Sequence, residues 1–287
     1  MKVLTTKINK IASSPWFVVV GTLCSIAGFA WLLYDELQEN STLASIIFFS
    51  ISLVIMLAGY VYSFKVRVDL IVSRDISAIF CEINHIYRDT LKKLFSDDNP
   101  ISDPEFLLSE EEETLKAICQ RVDDLFTRLI GRDCSVTIKL LYNENGKSYA
   151  TTLTRSEDKS IRDKAHRKNY EVGTGDNSAF DTALQKKNGN NEAHYFSPNL
   201  NKEIDYTNQR SDYIKYYKST LIVPIRSTNF GKEGTNEEFD NIGLLCIDTM
   251  STNRLNNRYH LNMLLSLSNQ MYNFISLMRG KYTVLVG

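Results

Sequence analysis

The stretch Cys134-Ser135-Val136-Thr137-Ile138-Lys139-Leu140-Leu141-Tyr142 decides the fold, because apolar and polar residues alternate in it with a period of two, whereas the segments before it repeat every three or four residues. It predicts a strand. Asn143-Glu144-Asn145-Gly146 reads as a turn and residues 149–154 as the returning strand, so the pair forms a hairpin. Downstream, residues 176–185 read as a short helix opened by Gly173-Thr174-Gly175-Asp176, and strands are expected at 219–226 and 242–248 across the polar loop 227–241. A last helix over 256–279 would bury Met263, Leu264, Leu267, Met271, Phe274, Ile275 and Met278. Upstream, Ser102-Asp103-Pro104-Glu105 and the capping box Ser109-x-x-Glu112 are helix-start signals. The helix they open runs to Ile130, with Leu115, Ile118, Val122, Leu125 and Leu129 on its buried face and Gly131 as a left-handed cap. At its N-terminus the acidic run 110–113 is favoured by the macrodipole and needs no metal or acid–base role. Helix, strand pair, helical middle, strand pair and helix make an α+β domain.

Before this domain come two uncharged apolar runs, residues 15–34 and 43–64, each about the 20 residues a helix needs to cross a hydrocarbon core. They predict a two-helix transmembrane hairpin. Lys2, Lys7 and Lys10 precede it, Lys65, Arg67 and Arg74 follow it, and the connection 35–42 has no Lys or Arg, so both termini are expected in the cytoplasm of a two-pass protein of the bacterial inner membrane. Trp16, Trp31, Tyr34, Tyr60 and Tyr62 fall near the ends of the runs, where amphipathic rings favour the lipid–water interface. On the second run Ser45, Ser52, Gly59 and Ser63 share a face of small side chains. That face packs on Gly21, Ser25 and Gly28 of the first helix, or it drives assembly into a homo-oligomer.

The apolar residues Val68, Val72, Ile76, Ile79, Ile83, Ile86, Leu91 and Leu94 continue at helical spacing to about Phe95, where Asp97-Asp98-Asn99-Pro100 stops the helix. The stripe either passes motion between domain and membrane or packs against the domain or a second copy. The expected organisation is a cytoplasmic segment 1–14, the hairpin 15–64, a helical linker 65–100 and a cytosolic domain 101–287.

With 33 basic against 34 acidic side chains in 287 residues, the chain has no general pull toward nucleic acid. Five scattered cysteines without a Cys-x-x-Cys pair fit reduced thiols, and the four histidines stand at no metal-ligand spacing, so no metal is expected. Arg155, Lys159, Arg162, Lys164, Arg167 and Lys168 crowd fourteen residues and are candidate anion contacts to lipid or nucleic acid; Glu157, Asp158 and Asp163 dilute them, as in a solvated loop. The apolar tail 282–287 would add a strand to a partner's sheet or tuck back into its own.

The segments Tyr217-Lys218-Ser219-Thr220-Leu221-Ile222-Val223-Pro224-Ile225 and Ile242-Gly243-Leu244-Leu245-Cys246-Ile247-Asp248, followed by an apolar helix and preceded by Gly173-Thr174-Gly175-Asp176-Asn177-Ser178-Ala179-Phe180, resemble the GAF domain superfamily over residues 107–281. The resemblance implies a central antiparallel sheet flanked by helices, dimerisation through the terminal helices, and a small-molecule pocket on one face of the sheet. It nominates Tyr170, Asp176, Asn177, Ser178, Phe180, Asp181, Pro198, Asn199, Tyr213 and Ser219 as ligand-binding residues. The signature of the cyclic-nucleotide-binding members is absent, the nearest segment being Asn208-Gln209-Arg210-Ser211-Asp212-Tyr213, and no cysteine stands in a chromophore-attachment context. The residues leave the ligand and any cofactor unidentified. Duller roles stand beside these: Asp176 as an N-cap, Phe180 as core and Pro198-Asn199 as a turn, while Gly173-x-Gly175 before a helix is a lone signal for holding a phosphate on backbone N–H groups.

No nucleophile elbow, phosphate loop or metal-ligand cluster occurs in the sequence, so an enzyme is not expected. A sensor domain with no other output points to the hairpin as the effector. The order of parts resembles the two-transmembrane effectors of bacterial anti-phage systems. The alternative is a membrane-anchored scaffold that recruits a separate protein or nucleic-acid partner, with the hairpin only an anchor.

Overall fold

The computed structural model describes residues 28, 31, 42–95, 103–156, 169–184, 194–226 and 241–286 of the chain. Its contacts divide it into two units, Met1–Ser77 and Ala78–Gly287.

In the first unit helix α1 (Thr42–Leu94) begins at the start of the second apolar run and continues without a break. Between Ile51 and Phe64 its apolar side chains are exposed around the whole circumference; Val54, Ile55, Val61 and Phe64 are each 61–66% exposed. A helix with no polar stripe and no protein cover is suited to lipid rather than water. It is the one helix among the described residues long and apolar enough to cross a membrane. The expected hairpin is therefore not shown: the first run, with Gly21 and Ser25, and most of the connection lie outside the described residues, although Gly28 and Trp31 are helical. Of the small-residue face, Ser52 and Ser63 are half-buried and Gly59 has open space around its Cα.

In the second unit, residues 78–94 of α1 group with the domain. Ile79, Ile83, Tyr87 and Leu94 are buried there, and the Tyr87 ring lies 5.2 Å from that of Phe274. Helix α2 (Pro104–Ile130) starts at Asp103, whose Oδ1 accepts from the Glu105 N–H at 2.9 Å, and ends on Gly131 at φ +70°. The second start signal is not used. Proline at the first helical position fixes the earlier start, so Ser109 falls inside the helix and the acidic run is moved out of the first turn. Glu110 instead pairs with Lys93 at 2.6 Å, and Glu111 is buried.

Six strands form one antiparallel sheet: β1 (Cys134–Glu144), β2 (Lys147–Arg155), β3 (Tyr170–Glu171), β4 (Tyr195–Ser197), β5 (Ser219–Arg226) and β6 (Asn241–Thr249), in the order β3-β2-β1-β6-β5-β4. Asn145 and Gly146, both at positive φ, make the two-residue β1–β2 turn, whose hand matches the twist of the strands. On one face of the sheet lie α2 and the last helix α4 (Tyr259–Val286); on the other lies the short α3 (Ser178–Leu184). The tail is no strand: residues 282–286 continue α4, and Lys281 Nζ ties that end to the Leu94 carbonyl at 2.7 Å. Of the expected buried face of α4, Met263 is only half-buried and the other six are buried. The four described cysteines are free thiols, and all but Cys81 are buried.

Two measurements test this core. Gly243 pairs with Leu140, and a Cβ there would stand 2.4 Å from the Lys139 carbonyl oxygen, which strand β1 cannot withdraw because β2 holds it from the other side. Gly243→Ala is expected to lower the stability of the domain by roughly 1–3 kcal/mol in urea titration of the full chain in detergent. Burial pushes the Glu111 carboxyl up to about 7, against a smaller opposing effect of Arg279. A carboxyl raised in the fold favours the protonated state, so its contribution is complete below the unfolded value and lost as pH rises through about 7. Melting temperature should fall between pH 5 and pH 8, and Glu111→Gln should flatten that slope.

Candidate functional site

Side chains of a strand point alternately to the two faces of its sheet. On β1 this sends Val136 and Ile138 to the α2/α4 side and Ser135, Thr137 and Lys139 to the other. The register sets Thr137 beside Arg155 and Cys246, and Ser135 beside Asp248, which in turn faces Thr220. A polar patch therefore forms in the middle of the sheet, and none of these polar side chains is more than 8% exposed. Its members bond to one another. Arg155 Nη1 donates to Ser135 Oγ at 3.2 Å, Lys139 Nζ to Thr152 Oγ1 at 2.8 Å, and Thr220 Oγ1 to Asp248 Oδ1 at 2.8 Å.

Above this floor sits a roof of α3 and the segment 206–217. Asn177 caps α3, its Oδ1 accepting from the Ala179 and Phe180 N–H groups at 3.1 and 3.3 Å. Phe180 meets Tyr170 edge to face at 5.3 Å, and the Lys139 ammonium lies 5.0 and 5.4 Å from the two ring centres, a cation–π arrangement. Asn208 Nδ2 donates to the Tyr206 and Tyr217 hydroxyls at 2.9 and 2.8 Å, locking the two phenols together. Burial pushes both phenols well above their ordinary range, so they stay neutral hydrogen-bonding groups. Arg210 stacks over Tyr216 at 3.9 Å and donates to Asp212 at 2.7 Å, which holds that carboxyl below its usual value.

Between floor and roof lies a cavity of about 160 Å³, partly open at Gln209 and Ser211. A single water needs about 10–15 Å³ by the same measure and a benzene-binding cavity is about 150 Å³, whereas pockets for drug-sized ligands start near 300 Å³. The space suits a molecule of about one ring. Thr137 lines it, is 1% exposed and has an Oγ1 with no hydrogen-bond partner; of the buried, unpartnered side-chain atoms among the described residues, this is the one on a lining residue. Leaving a hydroxyl so costs about 1–3 kcal/mol, which a ligand able to bond it would recover.

Of the ten residues nominated from sequence, Tyr170, Asn177 and Phe180 line this cavity. The other seven hold the frame around it. Asp176, expected as the N-cap, instead accepts from the Glu171 N–H and Gln209 Nε2, one residue too early to cap α3. Ser178 accepts from the Thr207 N–H, and Asn199 caps the 3-10 turn Leu200–Lys202. Ser219 Oγ donates to the Pro198 and Ser251 carbonyls, and Tyr213 packs on the Tyr206 ring. Asp181 closes the glycine loop: its two oxygens accept from the Gly173 and Gly175 N–H groups at 2.7 and 3.0 Å. A carboxylate thus occupies the donors that a phosphate-holding loop would offer. Arg155 stands apart from the basic run it opens, being 6% exposed and in the cavity wall; the other five members lie outside the described residues.

Sequence reasoning missed the floor itself, Thr137, Lys139, Thr152, Thr220 and Asp248, and the roof residues Tyr206, Gln209, Arg210 and Tyr217. A signal existed: polar residues alternate along strands that the topology makes central, where the second face is largely covered. Among the described residues, no group of three or more His, Cys, Asp or Glu is placed to hold a metal ion.

No protein-family model and no curated protein matches the chain. Similar solved structures include GAF domains. One, a GAF domain region from Geobacter sulfurreducens PCA, is 16% identical over 59% of this chain and 98% of its own, at a TM-score of 0.39. Another, the GAF domain of a phosphoenolpyruvate-protein phosphotransferase from Coxiella burnetii, is 12% identical over 69% and 95%, at a TM-score of 0.39. A far-red cyanobacteriochrome photoreceptor is 15% identical over 61% and 95%, at a TM-score of 0.36.

Thr137→Val removes the orphaned hydroxyl while keeping nearly the same shape. The ligand-free chain should gain about 1 kcal/mol or more, read as a higher melting temperature. A loss of stability instead would mean that the hydroxyl is satisfied in the fold.

Proposed function

We propose that the chain is a non-enzymatic, membrane-anchored sensor and effector. In this reading the GAF-like domain receives a small ligand in the cavity. A two-pass hairpin in a bacterial inner membrane, with both termini cytoplasmic, is the output, altering the assembly of a homo-oligomer and perturbing the membrane in anti-phage defence. The observation that carries the reading is the buried cavity whose polar floor keeps one hydroxyl without a partner, because a fold that tolerates this cost gains when a ligand arrives. The exposed apolar circumference of α1 between Ile51 and Phe64 supports the membrane half. A second reading, an anchored scaffold that recruits a protein or nucleic-acid partner, is favoured by the burial of Ile79, Ile83 and Leu94, which makes that part of α1 a structural support of the domain.

Expression of the full chain against a chain lacking residues 15–64, with growth and a potential-sensitive dye as readouts, separates the two. Depolarisation that requires the hairpin and is abolished by Ser52→Leu with Gly59→Leu is the expected result. An inert full chain under every inducing condition would overturn the output role and leave the anchor.

A further inference from the structure

We infer that the cavity ligand is a small organic carboxylate of about one ring, with its acid group on Thr137 and Lys139 and its ring against Phe180, Ile222 and Cys246. This rests on the sensor reading above and adds the ligand's chemical class. Volume comes first. At about 160 Å³ the cavity holds one ring and a short polar group.

Charge decides the sign of the polar group. The described lining carries three cations, Lys139, Arg155 and Arg210, against two carboxylates, Asp212 and Asp248. Each carboxylate already accepts a hydrogen bond within the site, from Arg210 and Thr220 respectively. The balance of the lining is one positive charge, and a single negative charge on the ligand is what offsets it. A dianion would overshoot and meet the two carboxylates.

Geometry decides the kind of anion. Thr137 and Lys139 are two residues apart on one strand and point to the same face, which places a hydroxyl donor and an ammonium side by side at the spacing of successive inward residues. A carboxylate presents two oxygens to such a pair. The orphaned Thr137 hydroxyl is a buried, unpartnered donor on a residue that lines the cavity. The apolar side of the space is supplied by Phe180, Ile222 and Cys246, which belong to one buried cluster under α3.

The test is titration calorimetry on the full chain in lipid nanodiscs, with benzoate, its neutral counterpart benzamide, and inorganic phosphate as probes. Benzoate is expected to bind, benzamide and phosphate at least tenfold more weakly, and Thr137→Val to weaken benzoate at least tenfold while its melting temperature does not fall. Ile222→Trp, which fills the cavity, should abolish binding, and the unaltered fold of the Thr137→Val chain keeps the result readable if this variant does not fold. Benzamide binding as tightly as benzoate, with sensitivity to Ile222→Trp, would overturn the carboxylate and leave the sensor reading intact; phosphate binding more tightly than benzoate would do the same. Failure of every probe, charged and neutral, would overturn the one-ring carboxylate, while the sensor reading stands or falls on the depolarisation experiment above.

Discussion

The pairing of β1 between β2 and β6 is the constraint on which the rest of the domain depends. Running from Cys134 opposite Thr249 to Leu140 opposite Gly243, it fixes which residue of each strand stands beside which. A slip of one residue would send Val136 and Ile138 to the cavity and Thr137 and Lys139 into the helix-covered core, where an ammonium has no compensation. The close approach at Gly243 blocks such a slip on one side, and the Asn145-Gly146 turn sets the register on the other.

Given that register, the two faces of the sheet have opposite chemistry. One is covered by α2 and α4 with aliphatic side chains. The other gathers hydroxyls and charges under a roof stitched to the loop ahead of α3, the Gln209 N–H donating to the Asp176 carbonyl at 2.6 Å and the Thr207 N–H to Ser178. Buried polar groups are tolerated when they are bonded to one another, and most of these are. The exception at Thr137 lies where the enclosed space is, which is why it reads as a place held for a ligand rather than as a packing fault.

The helical parts were legible because their signals are local. The Asp103-Pro104 start and Gly131 end of α2 act within a turn of themselves, and the spacing of Ile79, Ile83 and Leu94 follows from the helical period alone. Errors arose where two local signals competed. The Ser109 box lost to a start that proline had already fixed five residues earlier, Asp176 lost the cap of α3 to its neighbour Asn177, and the tail stayed helical because nothing after Tyr259 breaks α4.

By itself the sequence determined the α+β class, the β1–β2 hairpin, the two central strands of the second pair and a stretch of α1 suited to lipid, since period and composition act over a few residues. The tertiary structure alone decided the site. Thr137, Arg155, Phe180, Arg210 and Asp248 come from five separate parts of the chain; strand pairing brings Thr137, Arg155 and Asp248 together, and the roof of α3 and residues 206–217 adds Phe180 and Arg210. In sequence, an inward polar residue on a covered sheet looks the same as an outward one on a wet sheet. What distinguishes them is the roof of α3 and residues 206–217, which the chain supplies far from the strand it covers.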